Sequence, residues 1–322
     1  MLPANVRAQP FRTRILLTCL FRRLQADFLC VAFSNLCAPN RYILENKCSR
    51  HPIEIDGQIP VQFVMKIATY NVNSIRIRLD AIISWLEKYK PDVLCIQETK
   101  CQDELFPVLI LRSTGYQVHY RGMKSYNGVA ILTRREPEEV FYGFNDNLPE
   151  IDDARLMRAN VHGIPIINTY VPNGYKVGTV QHDYKLKWFA RLKSYFAQHL
   201  SPDRPAVWCG DMNVAPEPID VHSPEKHLRH VCFHESVRNA YKDTVSWGFV
   251  DVFRRLHPDK QLFTFWDYLR PSSLDKNKGW RLDHILATRP LAERCREVDV
   301  DIEPRRALRA SDHTFLWADF EI

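Results

Sequence analysis

From residue 65 onward, short apolar runs alternate with amphipathic stretches, and the runs stop at polar clusters. Lys66–Tyr70 predicts a strand that ends in Asn71-Val72-Asn73. Ile75, Leu79, Ile82, Ile83 and Leu86 then recur at helical spacing, and Pro91 closes that helix. Val93–Ile96 predicts a buried strand running into Gln97-Glu98-Thr99-Lys100. Val129–Leu132, Met157–Val161 and Ile164–Tyr170 predict further strands, the last two joined by a His162-Gly163 hairpin turn. Trp188, Phe189, Leu192, Tyr195 and Phe196 mark a second amphipathic helix. Ala206–Cys209 ends in Gly210-Asp211-Met212-Asn213, and Leu282–Ala287 and Phe315–Phe320 complete the series. Hairpin links beside helical crossovers predict a mixed α/β fold in which helices cover sheets.

Residues 1–64 break this pattern. Their apolar stretch, residues 14–38, is interrupted by Arg22, Arg23 and Asp27 and lacks a small-residue cleavage site, so it does not read as a secretory signal. Met65-Lys-Ile-Ala-Thr-Tyr-Asn reads as a natural N-terminal strand. Residues 1–64 are therefore read as an upstream extension without a folded role, and 65–322 as the functional domain. The Arg-rich, acid-poor extension would also suit an organelle transit peptide. With no convincing signal and with Cys that read as reduced thiols, the expectation is a cytoplasmic protein.

Composition narrows the class. The 322 residues are 45% hydrophobic and 25% charged, which excludes collagen-like, coiled-coil and wholly disordered chains. No uncharged apolar run reaches the roughly 18 residues a membrane span needs. The net charge of +6 is uneven: residues 1–64 carry eight Lys/Arg against four Asp/Glu, and the remainder 36 against 34. An anionic substrate must then meet a local basic rim. The nine Cys are scattered at spacings that match no zinc or redox pattern.

The chemistry lies in the polar clusters at strand ends, where sites on α/β scaffolds are usually built. Glu98, Asp211, Asp283 and Asp312 each follow or flank an apolar strand, where a carboxylate is costly to bury unless paired or bound to a cation. Carboxylate and amide oxygens with one available His, His313, suit a hard ion such as Mg²⁺ or Mn²⁺. No zinc quartet, phosphate-binding loop, serine elbow or dinucleotide fingerprint is present.

As a set, these motifs resemble the exonuclease III family of apurinic/apyrimidinic endonucleases, within the endonuclease/exonuclease/phosphatase superfamily. The resemblance covers 65–322 and rests on Gln97-Glu98-Thr99-Lys100-Cys101, Tyr170-Val-Pro-Asn173, Gly210-Asp211-Met-Asn213, Thr264-Phe-Trp266, Gly279-Trp-Arg-Leu-Asp283 and Ser311-Asp312-His313. It implies a four-layer α/β sandwich of two packed mixed sheets flanked by helices. It implies one or two Mg²⁺ ions, with Mn²⁺ as substitute, held by Glu98 with Asn71 and Asp312. It gives Asp211 and Asn213 the attacking water, His313 with Asp283 the developing phosphate charge, and Tyr170 with Asn173 the scissile phosphate. Phe265, Trp280 and Leu282 match an apolar pocket for a flipped baseless sugar. Arg76, Lys100, Tyr126, Lys276 and Asn277 match a DNA-facing rim.

The implied activity is metal-dependent cleavage of duplex DNA 5′ to abasic sites, with 3′→5′ exonuclease or 3′-end-cleaning action, as in base excision repair. The implied partner is double-stranded DNA with abasic sites or blocked 3′ ends, met by a monomer and not by a membrane protein. Four positions depart from the family pattern. Asn73 stands where some relatives carry Asp, removing one carboxylate from the metal site. Lys176 falls where animal members place an Arg, and lacks its planar fork. His227 and His230 fall where relatives often have Asn beside the DNA backbone, which would make phosphate binding tighten as pH falls through the imidazole range.

Overall fold

Twelve strands and seven helices form among the residues this computed structural model describes, 63–146, 154–268 and 272–322. In chain order they are β1 (Val64–Asn71), α1 (Leu79–Tyr89), β2 (Val93–Gln97), α2 (Val108–Ser113), β3 (Gln117–Arg121), β4 (Val129–Thr133), β5 (Glu139–Tyr142), β6 (Leu156–Val161), β7 (Ile164–Tyr170), α3 (Val180–His199), β8 (Val207–Asp211), α4 (Glu235–Val245), β9 (Phe249–Asp251), α5 (Val252–Leu256), β10 (Asp283–Thr288), α6 (Arg289–Ala292), β11 (Cys295–Asp301), α7 (Glu303–Arg306) and β12 (Phe315–Glu321). The N-terminal extension read from the sequence lies outside the described residues as far as residue 62. Among the described residues no helix is long and apolar enough to cross a membrane.

The strands form two six-stranded sheets, ordered β11-β12-β1-β2-β4-β3 and β5-β6-β7-β8-β10-β9. β1–β2 and β7–β8 pair parallel and every other neighbour pairs antiparallel. Ile67, Cys95 and Ile131 of one sheet share a buried cluster with Ile166, Cys209 and Ile285 of the other. Ile82, Trp85 and Leu86 of α1 cover the outer face of the first sheet. Trp188, Phe189, Leu192 and Phe196 of α3, with Val237 and Tyr241 of α4, cover the second. This is the four-layer sandwich that the resemblance implied.

A buried amide bridge fixes one sheet on the other. Gln97 Nε2 donates to Asn168 Oδ1 at 2.7 Å, and Asn168 Nδ2 donates to the Ile96 and Ala130 carbonyls at 3.0 and 2.9 Å. Shifting either sheet would strand these groups, at about 1–3 kcal/mol for each one left unpaired. α1 begins at Leu79, later than the Ile75 expected from periodicity, because Asn73 and Ser74 turn the chain at φ 42° and 96°. Ile75 is nevertheless fully buried, which is why it carries a helix-like signal.

The register brings the polar ends together. Asn71 pairs with Gln97 across β1–β2, Tyr170 with Asp211 across β7–β8, and Asp211 with Asp283 across β8–β10. Gly210 permits the β7–β8 pairing. At φ +132° it lies so close to β7 that a Cβ would come within 2.0 Å of the Thr169 carbonyl oxygen.

Candidate active site

Asp211 ends β8 with 1% of its surface exposed, yet its carboxylate is well bonded. Asn71 Nδ2 donates to Asp211 Oδ2 at 2.9 Å, and the Asn213 backbone N–H donates to Oδ1 at 2.8 Å. Asn213 turns back toward Asp211 by adopting φ 50°, a left-handed conformation that Asn tolerates better than most residues. Its Nδ2 also donates to the Val171 carbonyl at 2.9 Å. Lys185 holds both flanking loops from behind, donating to the Asn173 and Asn213 carbonyls at 3.0 and 2.7 Å.

His313 faces Asp211 from the loop before β12. Ser311 Oγ ties this loop to the end of β1 by donating to the Asn71 carbonyl at 2.8 Å. His313 Nδ1 lies 2.7 Å from Asp283 Oδ2, and its Nε2 lies 3.8 Å from Asp211 Oδ2. Burial opposes the imidazolium, but the Asp283 and Asp211 carboxylates outweigh it and raise the His313 pKa to about 10. Burial also raises Asp211, against the pull of His313 and with the push of Asp283, to about 7. The two groups are thus set as a cationic donor beside a carboxylate able to take a proton near neutrality.

A second corner gathers around Glu98, which also adopts a positive φ, 52°. The Tyr170 hydroxyl donates to Glu98 Oε1, and Lys100 Nζ lies 2.9 Å from Oε2. Lys100 also donates to Asn73 Oδ1 at 2.6 Å, and Asn73 Nδ2 donates to Asp312 Oδ1 at 3.0 Å. Burial would raise the Glu98 pKa, but Lys100 outweighs it and leaves the carboxyl below its ordinary value. Tyr170 is pushed well up by burial and by the Glu98 and Asp211 carboxylates, so its hydroxyl stays a donor. Arg155 orients it, donating to the Tyr170 carbonyl at 3.2 Å with its guanidinium 4.5 Å from the ring centre.

Between the corners opens a cavity of about 520 Å³ whose lining includes Glu98, Asp211, Asp312 and His313 on one side and Phe265, Trp280 and Leu282 on another. Phe265 bridges to both Trp280 and His313 through backbone pairing, which sets the apolar wall against the imidazole. Three imidazoles of the same cavity lining, His230, His227 and His222, stand beside Trp280 at ring-centre distances of 4.6, 4.9 and 6.1 Å.

Residues 68–313 match the Endonuclease/Exonuclease/phosphatase family. The chain belongs to this family. It is 33% identical to exodeoxyribonuclease III of Haemophilus influenzae over 80% of its own length and all of that protein. It is 31% identical to an exodeoxyribonuclease of Bacillus subtilis over 77% of its length and 96% of that protein. Its fold superposes on an AP endonuclease from Archaeoglobus fulgidus with a TM-score of 0.78 and 51% identity, over 80% of this chain and all of that one. A Neisseria 3′ phosphatase bound to a product DNA hairpin superposes with a TM-score of 0.77 and 34% identity over the same shares.

Endonuclease/exonuclease/phosphatase proteins are metal-dependent, and the residues here fit a hard cation. Asp211, Asp283 and His313 form a buried group whose ligand atoms all lie within 4.8 Å of one another. The Glu98 corner offers a partly buried carboxylate, the Asp312 carboxylate and the Asn73 amide oxygen, with the Lys100 ammonium seated among them. An ammonium there stands where oxygen ligands would meet a cation. Asn71 fits the role of ligand less directly, because its amide donates to Asp211 and its Oδ1 accepts the Asn73 N–H at 3.0 Å.

The rim read from the sequence divides. Lys100 turns inward onto Glu98, whose buried carboxylate draws the ammonium in. Arg76, Tyr126, Lys176, Lys276 and Asn277 are exposed, Tyr126 to 71%. Asn173 lines the cavity and donates to Asn213 Oδ1 at 3.0 Å. His227 and His230 are in the cavity wall, and desolvation with neighbouring His227 shifts the His230 pKa downward. Lys278, His222, Ser272 and Asp267 line the cavity without having been singled out. Arg78, Arg305 and Arg309 line a further hollow of about 540 Å³ that includes Ala310, next to Ser311 and Asp312. Lys185 did carry a signal, since it continues the apolar stripe of Trp188, Phe189, Leu192 and Phe196 and so had to be buried.

Proposed function

We propose that this protein is a Mg²⁺-dependent DNA repair phosphodiesterase. It cuts duplex DNA 5′ to abasic sites and trims or cleans 3′ ends with the same residues. The observation that carries this reading is the apolar wall of Phe265, Trp280 and Leu282 set against the Asp211–His313 pair in one cavity. The wall stands where a sugar attached to a phosphate at the pair would rest, and a sugar without a base loses little stacking on turning out of the duplex. The similarity to exodeoxyribonuclease III, to an AP endonuclease and to a 3′ phosphatase supports the same substrate class.

In this reading Asp211 takes the proton of the attacking water, which Asn213 helps to place. Its raised pKa puts it near working pH, where a general base contributes about 10²–10⁴-fold. The His313 imidazolium donates through Nε2 to a non-bridging phosphate oxygen as charge builds there, while Asp283 holds the ring from Nδ1. Tyr170 and Asn173 contact the phosphate. Glu98 and Asp312, with Asn73 or Asn71, would hold Mg²⁺, which would supply neutralisation of phosphate charge. Arg76, Tyr126, Lys176, Lys276, Asn277, Lys278 and the Arg78–Arg305–Arg309 hollow bind backbone phosphates without sequence preference.

The test is cleavage of an end-labelled duplex with one abasic analogue beside an undamaged duplex, each in Mg²⁺ and in EDTA. A single Mg²⁺-dependent nick 5′ to the lesion is expected, with slower loss from 3′ ends. Loss from 3′ ends of both duplexes without the nick would make the protein chiefly an exonuclease, and no cleavage of either would overturn the reading.

A further inference from the structure

We propose that His222 and His227 form a second metal site, for a borderline transition-metal dication such as Ni²⁺ or Zn²⁺, in the wall of the cavity. Their two Nε2 atoms face each other at 3.3 Å. Imidazole nitrogens bind such ions at about 2.0–2.1 Å, and at a tetrahedral angle two of them stand about 3.3–3.4 Å apart. The pair already has that spacing.

The rings are held in place for the task. His222 Nδ1 lies 3.2 Å from the Gly279 carbonyl, to which it donates, which leaves Nε2 as the nitrogen with the free lone pair. A backbone carbonyl on the second ring nitrogen is the usual support of a metal-binding histidine. The His222 backbone N–H also donates to Gly279 O, at 3.1 Å, and the His227 N–H donates to Pro224 O at 3.0 Å, so neither ring hangs from a loose chain. Trp280 backs both rings, with centres 4.9 Å from His227 and 6.1 Å from His222. Without a metal, one proton shared between the Nε2 atoms satisfies the pair.

The donor set separates this site from the acidic corner. Two imidazoles favour Ni²⁺, Cu²⁺ or Zn²⁺, whereas carboxylate and amide oxygens favour Mg²⁺. An ion between His222 and His227 stands in the wall of the cavity that receives the sugar in the reading above, so metal and substrate would exclude each other there. That consequence rests on the proposed function, but the binding itself does not.

The test is calorimetric titration of the full-length protein with Ni²⁺ in excess Mg²⁺, comparing wild type with His222→Gln and His227→Gln. The difference between proteins is the readout, because residues 1–64 bring four Cys of their own that are common to all three. Each substitution is expected to weaken one Ni²⁺ site at least tenfold. Ni²⁺ should raise the melting temperature of wild type more than that of the variants. His227→Cys, which keeps a ligand for zinc, should retain the site for Zn²⁺. Ni²⁺ binding unchanged in both Gln variants, when their melting temperatures in EDTA equal that of wild type, would overturn the proposal. So would a wild type that shows no site either substitution removes.

Discussion

His313 presents Nε2 to the cavity because Asp283 Oδ2, 2.7 Å away, holds its Nδ1. The Asp283 carboxylate is fully buried and serves as the main support of charge on the ring, with Asp211 next. In Asp283→Asn the amide keeps the shape and removes that charge. We expect kcat on abasic duplex to fall about 10²–10³-fold, the range for losing a preorganised donor, with KM little changed. The pH profile should change too. The donor must be protonated, and in wild type it stays so until pH nears 10. The variant should lose activity as pH rises through a lower range, closer to that of a free imidazole. An unmoved basic limb would show that His313 is not the donor.

Asp211 governs the other limb. It must be ionised to accept a proton, so wild-type activity should fall as pH drops through about 7. Asp211→Asn should lose at least about 10²–10⁴-fold in rate, the usual worth of a general base. It should still bind abasic duplex in a mobility-shift assay, because the phosphate contacts and the apolar wall are intact. Loss of binding together with cleavage would show instead that Asp211 organises the fold of the site.

Arg281 ties together the segment that carries the apolar wall. It lies between Trp280 and Leu282, buried to 1% exposure. Its Nε donates to Asp220 at 2.7 Å, and one terminal nitrogen lies 2.7 Å from Asp251 and 3.0 Å from His284 Nδ1. Arg254 also bonds Asp220. Arg281→Met would leave Asp220 and Asp251 short of a counter-charge, and we expect a loss of about 3–5 kcal/mol in urea denaturation, the usual result of breaking a buried pair from one side. Burial opposes ionisation of both Asp residues, but Arg281 outweighs it and holds both below the usual carboxylate range. Their contribution to wild-type stability is therefore complete above about pH 4 and is lost as pH falls below it. The acid dependence should be shallower in Arg281→Met; an equal slope would mean that other groups control it.

How far the fold can be read from the sequence depends on burial. The eight strands that the apolar runs predicted occupy interior places in the two sheets, where both faces are covered. The four that carried no such signal, β3, β5, β9 and β11, are the four sheet edges. β11 shows why: Cys295, Val298 and Val300 are buried, while Arg296 and Glu297 are exposed, and a bulge between Cys295 and Glu297 breaks the alternation. The candidate site was legible because its carboxylates follow interior strands, whose ends are easy to place. The support behind it was not, since Arg155, Arg281 and Lys278 are ordinary charged residues until register brings them to Tyr170, Asp220 and the cavity. Lys100 was legible as a cation but not in direction, because its partner Glu98 is only two residues away and the turn between them requires positive φ at both, 52° and 47°.

That inward turn of Lys100 gives the last prediction. Its ammonium lies 2.9 Å from Glu98 Oε2 and 2.6 Å from Asn73 Oδ1, among the oxygens available to a hard cation. A metal binding at Glu98 must displace it, and the displaced ammonium is then available to the substrate phosphate. Lys100→Ala removes a competitor for the metal and a partner for the phosphate at once. At pH 8 Glu98 is ionised with or without Lys100, so the Mg²⁺ concentration for half-maximal cleavage should fall several-fold. At saturating Mg²⁺, kcat/KM should fall about tenfold, in keeping with loss of one charge-assisted contact of about 1.5–3 kcal/mol. Below pH 6 the first effect should shrink, because without Lys100 burial raises the Glu98 pKa and protons compete with the metal. A Mg²⁺ requirement that rises at pH 8 would show that Lys100 prepares the metal corner instead of competing for it.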